Sequence, residues 1–82
     1  MSNDVKFTVK SKVLNLESDK KSHVEVNIVA WGDHPAKLDI RSWNQDGTPY
    51  KGIGLTKDEA LYILDHADEI REAVESLNGL DG

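Results

Sequence analysis

The sequence predicts an α+β domain, one antiparallel sheet of four strands followed by a single long amphipathic helix. Three observations carry this. Short segments with period-two alternation fill residues 5–55, clusters of turn-forming residues separate them, and from Thr56 onward the apolar residues switch to helical spacing.

The first strand is expected over about residues 5–16. Val5, Phe7 and Val9 alternate with Lys6, Thr8 and Lys10, and the alternation slips near Val13 and Leu14, as a bulge or bend would cause. Glu17 to Ser22 is polar and reads as a loop. The second strand, about 22–31, sends Val24, Val26 and Ile28 one way and Glu25, Asn27, Val29 and Trp31 the other. Gly32-Asp33-His34-Pro35 ends it, because Pro35 has no ladder donor and Gly32 relaxes the backbone. In the third strand, about 37–43, Leu38 and Ile40 point inward. Asn44 to Pro49 has turn chemistry throughout, tightest at Asp46-Gly47. The fourth strand covers about 50–55 with Ile53 and Leu55 inward; Lys51 shares their parity unless Gly52 hosts a bulge or the strand begins only after Lys51. Thr56 reads as an N-cap with Glu59 as its capping-box partner. The helix, about 57–78, carries Ala60, Ile63, Leu64, Ala67, Ile70, Val74 and Leu77 on one stripe, with Asn78-Gly79 as its stop.

Eighty-two residues make one domain, 1–82, with a marginal core. With no cysteine, neither disulfides nor thiolate metal sites can support it, which leaves a second subunit as the expected support. A helix of about 22 residues is roughly 33 Å long, more than one small sheet can cover, and this too argues for a homodimer. Nothing reads as a secretory signal or membrane span, so a cytoplasmic protein is expected. The net charge of −5 is unevenly placed. Residues 1–56 hold eight basic and seven acidic residues, whereas residues 57–82 hold two basic and eight acidic ones. A local basic face is therefore compatible with an acidic whole.

With the helix over Val5, Phe7, Val9, Val24, Val26, Ile28, Leu38 and Ile40, the opposite side is expected to show Lys6, Lys10 and Lys12 from the first strand. Glu25, Asn27, Val29 and Trp31 join from the second, and Lys37, Asp39, Arg41 and Trp43 from the third. That face carries five positive and two negative charges and both tryptophans. Cations follow a phosphate backbone while indoles stack on unpaired bases, so the face reads as a surface for single-stranded nucleic acid, DNA or RNA. A different reading stays open: the tryptophans pack an interface, and the acidic helix makes the chain a protein–protein interaction module.

The segment KLDIRSW, a turn-rich loop, and KGIGLT entering a helix resemble the transcriptional positive cofactor 4 family of single-stranded DNA-binding proteins. The resemblance is nearest to its bacterial, YdbC-like, single-domain branch, in which a tryptophan and a proline, here Trp31 and Pro35, precede the DIR-containing strand. It runs from about Phe7 to Leu64 and is most specific from Trp31 to Leu55. It implies a curved four-stranded sheet with one C-terminal helix, paired as a homodimer that holds unpaired DNA with little sequence preference. It further implies a coactivator-like or DNA-maintenance role in transcription, replication or repair, in a bacterial or phage nucleoid setting. The family's aromatic and basic positions fall on Trp31, Lys37, Arg41, Trp43 and Lys51. The loop before the KGI motif departs from the family in being less basic, with Asp46 and Tyr50 around it, and the helix is unusually acidic.

Catalytic chemistry is not legible. His23, His34 and His66 lie in three different predicted elements without metal-ligand spacing, and Gly52-Ile53-Gly54 lacks the Gly-Lys-Ser/Thr ending of a phosphate loop. The expectation is a non-enzyme with no metal and no cofactor.

Overall fold

The computed structural model describes residues 6–77. Four strands, β1 (Phe7–Leu16), β2 (Ser22–Trp31), β3 (Lys37–Asn44) and β4 (Pro49–Leu55), form one antiparallel sheet in the order β1-β2-β3-β4. Two helices follow, α1 (Lys57–Asp65) and α2 (Ala67–Glu75). The α+β class and the four-stranded antiparallel sheet agree with the sequence reading. Val5 and the Asn78-Gly79 stop lie outside the described residues.

The turns have the expected chemistry. Gly32 takes φ 57° and donates its N–H to Lys6 O (2.7 Å), closing the end of the β1–β2 pair. Gly47 takes φ 91° in the β3–β4 hairpin, where Asp46 Oδ1 accepts from Thr48 N (2.9 Å).

The single helix expected over 57–78 is broken at His66. Its backbone sits at φ −113°, ψ 25°, and its Nδ1–H donates to Tyr62 O (2.7 Å). A side chain has taken the carbonyl that the backbone N–H four residues on would use, a recognised cause of a helix break. At the start, Thr56 caps α1 in a complete capping box: Thr56 Oγ1 accepts from Glu59 N (3.2 Å), and Glu59 Oε1 accepts from Thr56 N (2.9 Å). These bonds to Thr56 hold the Glu59 carboxyl below its ordinary value.

Bulges set which side each residue faces. In the β1–β2 ladder Val9 pairs with Val29 but Ser11 with Ile28, and Lys12 with Asn27 but Leu14 with Val26. Lys10 and Val13 are therefore each an extra residue on β1. The slip near Val13 was legible in the sequence; the one at Lys10 was not. The expected facing of β1 is corrected accordingly. Phe7 pairs with Trp31 and Val9 with Val29, so both lie on the tryptophan side rather than with Val24, Val26 and Ile28. Lys12 alone of the β1 lysines comes to the tryptophan side, and Lys6 and Lys10 do not.

The sheet is strongly coiled toward that side. Phe7 is level with Trp31, and Trp43 is level with His23, eight residues along β2. On a flat sheet those levels would be about 26 Å apart. Yet the Phe7 ring lies 5.1 Å from Trp31 and 5.5 Å from Trp43. Extra residues on β1 and β4 raise the local twist and bend the edges inward. The buried core is consequently inside this curl, made by Val29, Trp43, Asn27 and Asp39, and is small.

The helices do not cover the opposite side as expected. α1 meets β3 and β4, and α2 touches no strand. Leu14, Leu16, Ile53, Ile63, Leu64, Ile70, Val74 and Leu77 stay exposed. The Cα radius of gyration is 15.0 Å, against about 12 Å for a compact chain of this length. Its accessible surface is 6810 Å², against roughly 4,900 Å² for a compact monomer of this mass.

Candidate nucleic-acid interface

The inner side of the curl is built on alternate residues of β2 and β3. Cross-strand pairs stack Val29 on Lys37, Asn27 on Asp39, Glu25 on Arg41 and His23 on Trp43. On β4 the inward positions opposite Arg41 and Asp39 are Gly52 and Gly54. A side chain at Gly52 would collide with Arg41 Cβ and come within 2.6 Å of Ile40 O. The Lys37 stem crosses Gly54 at contact distance. The glycines of KGIGL thus form a floor over which the two long cationic side chains lie.

Asp39, 1% exposed, is the hub of this side. It accepts from Arg41 Nε on Oδ1 (2.6 Å), and from Arg41 Nη2 (2.8 Å) and Trp31 Nε1 (3.1 Å) on Oδ2. Arg41 Nη1 donates to Tyr50 O (2.9 Å), and its guanidinium carbon lies 4.5 Å from the centroid of the Trp31 ring. Arg41 is therefore a paired, stacked group rather than the free phosphate contact expected from the sequence. A bidentate carboxylate and a cation–π contact both fix its plane.

The tryptophans are also less open than expected. Trp43 is 5% exposed, edge-on to Phe7, and its Nε1 has no hydrogen-bond partner among the described residues. Trp31 is half-buried between Phe7 and Arg41. The packing alternative thus applies to Trp43, while Trp31 keeps part of its surface open.

The second carboxylate of this side is also engaged. Glu25 Oε1 accepts from Asn27 Nδ2 (3.0 Å), and Oε2 lies 2.6 Å from His23 Nε2, which must donate. The Asn27 bond, His23 and the charge of Lys12 hold the Glu25 carboxyl below its ordinary value of 4.5 against the opposing effect of burial. The lysines differ. Lys6, Lys10, Lys12, Lys37 and Lys51 are all exposed, and the ion pairs among the described residues include none of them. Of these, Lys12 and Lys37 share the inner side with Trp31; Lys6 and Lys10 flank β1, and Lys51 stands on the β4 edge. The inner side thus holds three cations, Lys12, Lys37 and Arg41, and two carboxylates, rather than the five and two expected.

Asp39 was available to sequence reasoning as a residue two positions from Arg41 on one strand, hence on the same face and of opposite charge. Tyr50 was not, because its facing depends on a bulge. In the β3–β4 ladder Trp43 pairs with Pro49 but Arg41 with Gly52, so Ser42 alone opposes Tyr50 and Lys51. The bulge suspected near Gly52 is present, but it changes the side of Tyr50; Lys51 stays with Ser42 and Ile53 on the side opposite Trp31.

Among the described residues no group of three or more His, Cys, Asp or Glu side chains could hold a metal ion, and no helix is long and apolar enough to cross a membrane. In comparisons with known protein families and with curated proteins, the chain matches none.

Proposed function

We propose that this chain is a homodimeric, non-enzymatic protein that binds single-stranded DNA with little sequence preference. One observation carries the reading. The two carboxylates on the Trp31 side are tied to internal donors, while Lys12 and Lys37 are exposed and, among the described residues, in no ion pair. What that side offers a ligand is therefore cationic, although the chain as a whole is acidic. Lys12, Lys37 and Lys51 contact phosphates, with Lys6 and Lys10 adding charge beside them, and Trp31 supplies the aromatic surface. Arg41 orients Trp31, and Trp43 anchors the curl. The α2 stripe takes the second copy, since Ile70, Val74 and Leu77 stay exposed and α2 meets no strand among the described residues.

The test is a tryptophan-fluorescence titration with a single strand of about 20 nucleotides, its duplex and the matching RNA, at low and moderate salt. Quenching by the single strand that weakens as salt rises, with weaker duplex binding, is expected, because bound lysines release counterions. Equal response to RNA would widen the reading to single strands of either sugar. No response to any strand at low salt would remove it and favour the protein-interaction module, for which the exposed apolar stripe of the acidic helix α2 is the supporting observation.

A further inference from the structure

The β4 bulge has a chemical consequence. Tyr50 and Lys51, consecutive in sequence, do not take opposite sides of the sheet. Together with Ser22 and Ser42 they line one open cavity of about 250 Å³. Sites that enclose drug-sized ligands run about 300–1,000 Å³, so this one suits a single planar group and its attachment.

Its lining is a phenol, an ammonium and two hydroxyls, and it contains no carboxylate. Tyr50 is 55% exposed, and among the described residues it is the one aromatic without a ring partner: Phe7 packs against Trp31 and Trp43, and Tyr62 lies against His66. A large ring left open beside an unpaired ammonium is the pairing a nucleotide unit needs, a face for the base and a charge for the phosphate.

The bulge is held from the inner side. Arg41, fixed by Asp39, donates through Nη1 to Tyr50 O, so the backbone that aims Tyr50 is tied to the hub of the Trp31 side. β4 is an edge strand, and Gly52 and Gly54 put no side chain of their own on its inner surface. The step from Gly54, under the Lys37 stem, to Lys51 is about 10 Å along β4. A phosphodiester chain leaving Lys37 can cross this edge to Lys51.

We infer that Tyr50, Lys51, Ser22 and Ser42 form a nucleotide subsite. One base of a single strand stacks on the Tyr50 ring, and its phosphodiester is bound by the Lys51 ammonium and the serine hydroxyls. Arg41 is the positioning residue that sets the Tyr50 backbone. The inference rests on the single-strand reading above and adds to it a base-stacking residue other than tryptophan.

The experiment compares two ligands of equal length on the full chain, oligothymidylate and an abasic deoxyribose-phosphate strand, by anisotropy of a labelled end. Tyr50→Ala is expected to weaken oligothymidylate binding by roughly 5- to 150-fold, the range for loss of one base–aromatic stack, and to leave the abasic strand unchanged. Tyr50→Phe keeps the ring and binds both like the native chain. Lys51→Ala weakens both strands and lowers the salt slope by about 0.7. Far-UV circular dichroism of each variant checks that the fold is retained. Undiminished oligothymidylate binding by Tyr50→Ala, or an equal loss on both strands, overturns the subsite while the wider reading stands. A native chain that binds neither strand overturns both.

Discussion

Replacing Asp39 by Asn tests the hub of the inner side most directly. Asn presents one oxygen and one NH₂ group where Asp presents two oxygens. With the amide oxygen at the Oδ2 position, Trp31 and Arg41 Nη2 keep their acceptor and Arg41 Nε faces another donor. With the amide turned, Nε is satisfied and the other two donors are not. At least one charge-assisted bond is lost either way, worth about 1.5–3 kcal/mol. The Arg41 side chain, only 15% exposed, also loses its counterion. Breaking a fully buried pair costs about 3–5 kcal/mol, and the partial access of Arg41 to water reduces that, so the total expected is about 2–4 kcal/mol. At about 2.1 cal/mol/K per residue, each kcal/mol moves the midpoint by roughly 6 °C in a chain this size, hence a fall of about 12–24 °C. Urea and thermal unfolding of native, Asp39→Asn, Arg41→Met and the double variant measure both the loss and the coupling. The double variant should recover stability relative to Asp39→Asn, because no unpaired charge remains. A loss under about 1 kcal/mol, or effects of the two changes that add within about 0.5 kcal/mol, would refute the hub.

Other changes isolate single features. Gly52→Ala puts a methyl group against Arg41 Cβ and Ile40 O, so the strands must part; a loss of about 3 kcal/mol or more in urea unfolding is expected, beyond that of an ordinary exposed strand glycine. Thr56→Ala removes the α1 cap and should cost about 1 kcal/mol, read in the same assay. Glu25→Gln addresses pH. Because folding lowers the Glu25 pKa below 4.5, the carboxylate contributes stability above that value and loses it as pH falls through the folded-state pKa. The native chain should therefore lose stability toward acid more steeply than Glu25→Gln, as followed by urea midpoints on both sides of pH 4.5; equal slopes would count against the His23–Glu25–Asn27 arrangement. In strand binding, Lys37→Ala should lower the salt slope by about 0.7, whereas Arg41→Ala should weaken binding with little change in slope, since its charge is already met by Asp39.

Local interactions made much of this chain legible from sequence alone. Period-two alternation, the Asp46-Gly47 turn and the Thr56–Glu59 capping box depend on neighbours within a few residues, and each stands where the sequence placed it. The same holds for the shared side of Val24, Val26, Ile28, Leu38 and Ile40, opposite Trp31 and Arg41, because β2 and β3 pair without a slip; that this side is the outer one, with the core on the Trp31 side, is a correction made by the coil of the sheet. Strict alternation failed on β1 and β4, where extra residues at Lys10, Val13 and the Tyr50-Lys51 step change sides, and a bulge is decided by how a strand fits its partner. The helix break at His66 likewise depends on a ring nitrogen reaching the Tyr62 carbonyl, which apolar spacing does not encode. Residue types therefore determined that cations and aromatics would share this small sheet. Only the coiled tertiary structure decided which remain available, by closing Asp39 on Arg41, turning Trp43 into core and leaving Lys37, Lys51 and Tyr50 open.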